Sequence, residues 1–347
     1  MVKFLKRFLK WSGLLILAVA VTGVVYQQIG LQRDAERFPA PGVMVDIGTH
    51  ELHLYCMGEE GDAPTVILEA GATFISTGWQ WVMDHLAETT RVCTYDRSGF
   101  GWSDEGVHPY DGPQASDELH TLLLNAGINT PVILVGHSLG AMIGRIHYDR
   151  YPDDLAGLIM IEPGDPDIFL ADDTEDRGHM AERTSGIRPC GNKCRMVTAA
   201  THLGLVRLML GTTDLLSDPL YPPGAAEAYA ARMAHPSNAR TPMALGRYII
   251  RIVYQTGDNV SLGDLPTMVI YSTGFGSLLG NSDTDEERAS DLIDNVEAWN
   301  RTTATSSQNM GVRAIEGGNH IAIVGYEAYA EQVADHVREM IDLISTE

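Results

Sequence analysis

Residues 131 to 140 read Pro-Val-Ile-Leu-Val-Gly-His-Ser-Leu-Gly, a β-favouring apolar run that breaks into Gly-x-Ser-x-Gly around Ser138. Ala141 to Arg150 follows with apolar residues at Met142, Ile143 and Ile146, a helical spacing. Strand, tight turn and helix are the setting in which this pentapeptide becomes a nucleophile elbow, which holds a serine hydroxyl away from its own backbone and within reach of a base. Side chains at Gly136 or Gly140 would collide across such a turn. The turn also puts the N–H of Leu139 at a helix start, aimed where the oxygen of a tetrahedral intermediate would gather charge. Composition alone yields roughly 0.2 chance matches to the pattern over a chain of this make-up, so the flanking strand and helix carry the reading. The plain alternative is a buried structural serine.

The 347 residues, 44% hydrophobic and 20% charged, suffice for one domain with appendages. A formal net charge of -22 argues against nucleic acid as a partner, and against an anionic membrane face bound through general electrostatics. Lys3, Lys6, Arg7 and Lys10 precede an uncharged run from Trp11 to Gln32 whose apolar heart is Leu14 to Tyr26. About 20 such residues, as a helix, cross a hydrocarbon core of roughly 30 Å, and the basic flank marks the cytoplasmic side. Residues 1–31 are therefore expected to be a transmembrane anchor. The rival is a cleaved signal segment, for which Ala18-Val19-Ala20 offers small residues at the required spacing. Either places the remaining chain outside the cytoplasm, membrane-anchored or exported.

Residues 32–42, polar and then proline-punctuated, read as a linker. The four cysteines suit an oxidising compartment. Cys190 and Cys194 could close a small disulfide loop; zinc lacks further ligands at suitable spacing nearby. Cys56 and Cys93 fall on predicted strands and are either bridged or free buried thiols.

Alternating patterns give strands at Val43–Ile47 and Leu52–Cys56 around a Gly48-Thr49-His50 turn, then a short apolar strand at Thr65–Glu69. That strand ends in Ala70-Gly71-Ala72, and the N–H of Ala72 is the candidate for a second oxyanion donor. A helix at Trp79–Leu86, a strand at Arg91–Tyr95, a helix over 115–127 and a strand at Leu155–Ile161 continue a β/α alternation that predicts a parallel sheet. From 164 to 263 the alternation gives way to helical patterns at Val206–Leu210, Ala225–Met233 and Ala244–Tyr254. Pro266–Ser272 and Val312–Glu316 resume the strands, and a helix at Tyr326–Ile344 closes the pattern.

The succession of Ala-Gly, Trp79-x-x-Val82, the Arg-Val-x-x-Tyr-Asp-Arg-x-Gly-x-Gly-x-Ser segment from Arg91 to Ser103, and Gly-His-Ser-Leu-Gly resembles the α/β-hydrolase superfamily, in its lipase and esterase-like branch. The resemblance covers about residues 43–163 and 264–347. It implies an α/β fold with a mostly parallel eight-stranded sheet, helices on both faces, and a helical lid over 164–263 inserted after strand 6. Such a lid excludes water or shapes an acyl pocket. The resemblance also makes Asp96-Arg97 part of a rigid loop bracing the nucleophile strand, and His320, after Gly317-Gly318-Asn319, the general base.

The acid stays open. Its usual place after the seventh strand holds Ser272-Thr273-Gly274-Phe275-Gly276, with no carboxylate before Asp283; Glu162 stands at the end of the sixth strand, with Asp165 close behind. Glu162 is preferred because a strand end is a more rigid platform than a loop, and its structural alternative is a helix cap or an ion pair. The expected activity is hydrolysis of a small-molecule carboxylic ester, lactone or amide through an acyl-enzyme on Ser138, without metal or organic cofactor. Ser138 argues against haloalkane dehalogenase and epoxide hydrolase chemistry, which in related enzymes uses an aspartate at this position. A peptidase or lipid hydrolase of the same fold, and a non-catalytic ligand-binding or scaffold protein, remain as alternatives.

Overall fold

Eight short β-favouring runs join into one sheet in the computed structural model, which describes residues 1–72, 74–106, 110–129, 131–164, 192–212, 221–222, 224–238, 248–249, 251–253, 255–256, 261–274 and 284–346. The strands are β1 (Val43–Asp46), β2 (Glu51–Met57), β3 (Val66–Glu69), β4 (Val92–Tyr95), β5 (Val132–His137), β6 (Leu155–Ile161), β7 (Thr267–Ser272) and β8 (Asn309–Ile315). Their order is β1-β2-β4-β3-β5-β6-β7-β8. The β1–β2 and β2–β4 pairs are antiparallel and the others parallel. β5 lies between β3 and β6 and is buried at every residue, as a strand covered on both faces must be.

The described helices are α1 (Val2–Arg37), α2 (Gln80–Leu86), α3 (Gly112–Asn125), α4 (Leu139–Arg150), α5 (Asn192–His202), α6 (Leu205–Thr212), α7 (Ala225–Met233), α8 (Asp285–Thr303), α9 (Ala322–Gly325) and α10 (Glu327–Ser345). Side chains alternate across the sheet with period two. Val66, Leu68, Ile133, Val135, Ile159 and Ile161 face α2, α9 and α10, while Ile67, Leu134, Leu158 and Met160 face α3 and Trp299 of α8. α10 buries Ala330, Val333, Ala334, Val337 and Met340, a single stripe at helical spacing. The Asp111 side chain caps α3 by accepting from the Gln114 N–H at 3.1 Å, and Pro113 occupies its first turn.

Two expectations gain definition. α1 runs on through residues 32–37 of the expected linker and stops where Phe38 precedes Pro39. Arg37 pairs with Glu227 at 2.7 Å, and Asp34 with Arg207 at 2.6 Å, which holds these turns helical. Cys56 and Cys93 face each other across β2 and β4 and form a disulfide, with Cα atoms 4.0 Å apart. Cys190 and the Cys194 side chain lie outside the described residues.

The elbow is packed backbone to backbone. A Cβ at Gly140 would lie 2.4 Å from the Glu69 carbonyl oxygen, and one at Gly136 would lie 2.5 Å from the Gly140 carbonyl. Gly140→Ala is expected to lower stability by about 1–3 kcal/mol through overpacking, and reduction of Cys56–Cys93 by about 2–4 kcal/mol through release of a closed loop. Urea unfolding midpoints, taken for the variant and for wild type with and without reductant, check both.

Candidate active site

β5, β6 and β7 end side by side at the carboxyl edge of the sheet, and Ser138 and Glu162 follow the first two of those ends. Ser138 has φ 54° and ψ -114°, and its N–H donates to the Ile161 carbonyl at 2.8 Å. Glu162 has φ 46°, and its N–H donates to the Ile270 carbonyl at 2.9 Å. Among the described residues these are the non-glycine positions in the left-handed region. Each such conformation costs on the order of 1–3 kcal/mol and persists only when its surroundings hold it, a condition that clusters at functional sites. The ladder bonds from the neighbouring strands supply that hold. Leu139 is the first residue of α4, so its N–H belongs to the helix's first turn, where no intrahelical acceptor exists.

The Glu162 carboxylate is enclosed and fully engaged. Oε1 accepts from the Ser272 N–H at 2.7 Å and from the Ser272 hydroxyl at 2.6 Å. Oε2 lies 2.7 Å from His320 Nδ1. A carboxylate at Nδ1 fixes the imidazole tautomer that carries its lone pair on Nε2, which is what a general base for a serine requires. Glu162 lies at His320; the other two carboxylates weighed from the sequence, Asp283 and Asp165, lie outside the described residues.

His137, which sequence reasoning passed over as the x of the elbow, sets the other side of His320. Its Nε2 donates to the His320 carbonyl at 2.8 Å, and the two rings are 4.6 Å apart. Its Nδ1 is buried, with no hydrogen-bond partner among the described residues. Burial holds this imidazole well below its usual value of 6.5, and the neighbouring His320 lowers it further. Donor atoms of His137, Glu162 and His320 lie within 4.8 Å of one another, a spacing that would admit a metal ion. Here Glu162 and His320 bond to each other.

Ser138's opposite flank is the end of β3. A Cβ on Gly71 would sit 2.8 Å from His137 Nδ1 and 3.6 Å from Ser138 Cβ, so the Gly71 backbone abuts the elbow because it has no side chain. Arg97, 9% exposed, donates to the Gly71 carbonyl at 2.6 Å and also to the Ala70 carbonyl and the Glu69 carboxylate. A trans peptide points its C=O and the following N–H in opposite directions. Fixing the Gly71 carbonyl therefore fixes the Ala72 N–H facing away from Arg97.

Glu69 is itself buried, and burial raises its carboxyl, with Arg97 and the Tyr95 hydroxyl opposing that shift. Asp96 ties down the same loop, accepting from the Ser76 N–H at 2.7 Å and the Trp102 N–H at 3.0 Å, and pairing with His53 at 2.8 Å. These contacts make Asp96 and Arg97 a brace for the site's walls. Ser272 and the partners of Arg97, Glu69 and Tyr95, were also not singled out from the sequence. Their available signals were a polar residue closing a strand and a lone carboxylate closing an apolar one.

Buried neutral His137 links stability to pH. Below about 6.5 the unfolded chain binds a proton there that the folded chain refuses, so stability falls with acidification, by up to about 1.4 kcal/mol per pH unit. His137→Asn, whose amide can donate to the same carbonyl, is expected to flatten the decline of Tm between about pH 7 and pH 5. Equal declines in the variant and wild type would exclude His137 as the source.

The sequence profile of the alpha/beta hydrolase fold matches residues 64–242. A probable transporter, efuK, of Hormonema carpetanum is 35% identical over 128 residues, 34% of this chain and 18% of that protein. The chain spans about half or less of the length of the first curated relatives it matches. Among solved structures, a thermophilic esterase from Thermogutta terrifontis superposes with a TM-score of 0.53 at 20% identity, covering 87% of this chain and 98% of its own. The epoxide hydrolase VrEH1 from Vigna radiata gives 0.62 at 15% identity, covering 86% and 97%. Likeness at these identities is one of fold. With just over half of its length matched, including Ser138 and Glu162 at adjacent strand ends, the chain belongs to the alpha/beta hydrolase fold family.

Proposed function

We propose that this chain is a serine hydrolase that cleaves a carboxylic ester, or a related lactone or amide, through an acyl-enzyme. The observation that carries the reading is the 2.7 Å contact between Glu162 and His320, made by a carboxylate whose other oxygen is locked by Ser272, beside a serine in elbow geometry. His320 takes the Ser138 proton as Ser138 Oγ attacks the carbonyl. The N–H groups of Leu139 and Ala72 stabilise the oxyanion. His320 then protonates the leaving alcohol, and water, activated the same way, releases the acyl group and restores Ser138. Glu162 stays ionised and stabilises the imidazolium.

The region 164–263 acts in this reading as a lid over the site. Its residues Tyr248, Ile252 and Val253 pack with Phe100 against Leu139, Met142 and Ile143 of α4, which supports a cover that keeps water from the elbow. α1 acts as an anchor across a membrane, with the catalytic body outside the cytoplasm. Support comes from a 36-residue helix whose apolar window is unburied, and from the Cys56–Cys93 bridge, which suits an oxidising compartment.

The test uses the full chain in detergent micelles. A fluorophosphonate probe is expected to label Ser138, located by mass mapping of the adduct, and labelling is expected to vanish in Ser138→Ala and His320→Ala. Glu162→Gln keeps the shape and removes the charge, and is expected to lower kcat on a nitrophenyl ester about 10,000-fold. Full esterase activity in Ser138→Ala would overturn the acyl-transfer reading.

A further inference from the structure

α1 is held along its second half by the helices between β6 and β7. A Cβ on Gly23 would lie 2.5 Å from the Leu203 carbonyl oxygen, so α1 and the α5–α6 turn meet backbone to backbone. Gln27, wholly buried, donates to the Ala234 carbonyl at 2.8 Å and accepts from Arg207 Nε at 3.0 Å. Arg207 pairs with Asp34 at 2.6 Å, and Arg37 with Glu227 at 2.7 Å. These contacts fix α6 and α7 against α1 from Gly23 outward. The other side of α6 is apolar and uncovered: Leu205, Leu208 and Met209 are 53%, 53% and 55% exposed, and Met196 of α5 is 71% exposed. Positions 205, 208 and 209 are neighbours on one helical face.

Where this face lies relative to a bilayer follows from α1. The uncharged run from Trp11 to Gln32 rises about 33 Å as a helix, close to the thickness of a hydrocarbon core. Gly23 then lies about 13 Å short of the run's outer end. The α5–α6 turn that touches it is therefore set inside the hydrocarbon boundary, and α6 climbs from there toward the headgroups beside Gln27 and Asp34. Charge agrees with this placement. Between Glu182 and Asp214 the chain has no acidic residue, although it carries 46 in all, and exposed Arg195 flanks the apolar face. An interfacial helix sinks an apolar face about 5–10 Å into the headgroup and acyl boundary, with basic residues at the phosphates.

We propose that the exposed face of α6, joined by Met196, is a second membrane-binding surface that lies in the lipid interface beside α1. Its occupant is the bilayer itself. The inference rests on the reading of α1 as a membrane anchor, and adds that the cover of the site is seated on the lipid surface.

The test places an environment-sensitive nitrobenzoxadiazole probe on single cysteines in the full chain, with Cys190→Ser and Cys194→Ser and the Cys56–Cys93 bridge intact. Leu208→Cys reports the proposed face, Val19→Cys reports α1, and Glu331→Cys, exposed on α10, reports solvent. Each is reconstituted in phosphatidylcholine vesicles with and without phosphatidylcholine doxyl-labelled near the carbonyl end of its acyl chain. Quenching at Val19 and at Leu208, at least threefold above that at Glu331, is the expected result. Quenching at Val19 with Leu208 no different from Glu331 would overturn the second surface and leave the anchor standing. No quenching at either position would overturn the anchor and the surface together.

Discussion

The Glu162 carboxylate is shut off from water and shared between two donors of Ser272 and the ring of His320. An ionised carboxylate in such a place is tolerated only if its lone pairs are occupied, because the loss of hydration costs several kcal/mol. Each donor comes from a different part of the sheet. Ser272 closes β7 in the register that pairs Ile161 with Ile270, and a slip of one residue would turn its hydroxyl to the opposite face. His320 reaches the carboxylate from beyond β8, held from behind by His137 at the end of β5. The relative positions of four strand ends are thus bound up in one buried carboxyl group.

A second buried carboxylate does the corresponding work on the far side of Ser138. Glu69 gathers Tyr95 and Arg97, and Arg97 also donates to the carbonyls of Ala70 and Gly71. The Gly71–Ala72 peptide is thereby oriented before any substrate arrives. In the proposed mechanism that preorganisation matters more than the strength of any single bond, since a donor already in place needs no reorganisation as charge develops. The strained backbone at Ser138 lies between these two braces, and that at Glu162 carries the first of them.

Much of this was legible in the sequence because it is local. The β5 elbow declares itself within ten residues, whereas His320 after its glycines is read through the family resemblance and Glu162 as the preferred one of three carboxylates. The strand at Leu155–Ile161 was readable to its ends because its apolar run is bounded by Pro152 and Pro163. What the sequence left open depends on register. Whether Cys56 and Cys93 bridge is decided by β2 and β4 lying as antiparallel neighbours with those residues opposite, and Ser272 becomes a partner of Glu162 only once β6 and β7 are aligned. The 19-residue α8 went unremarked because its surface is acidic and its apolar side is thin, carried by Ala298 and Trp299, whose indole donates to the Pro163 carbonyl at 2.9 Å. The extension of α1 to Arg37 rests on partners at Arg207 and Glu227, some 170 to 190 residues away.

Those distant partners also explain how the apolar helix and the site come to share one framework. Where α1 ends, the Phe38 carbonyl accepts from the Trp102 indole at 3.2 Å, and the Pro41 carbonyl meets His53, whose other nitrogen holds Asp96. From the opposite direction, Arg232 and Asn238 donate to the Gly101 carbonyl at 2.7 and 3.0 Å, and the Arg232 guanidinium lies over the Trp102 ring. The loop from Asp96 to Ser103 is therefore gripped by the end of α1, by the hairpin and by the helices between β6 and β7 at once. That loop carries Arg97, which fixes the Gly71 carbonyl. A shift of α1 against the body would have to break a contact in this chain before it could leave the loop behind, so the wall of the site and the seat of the apolar helix are mechanically one piece.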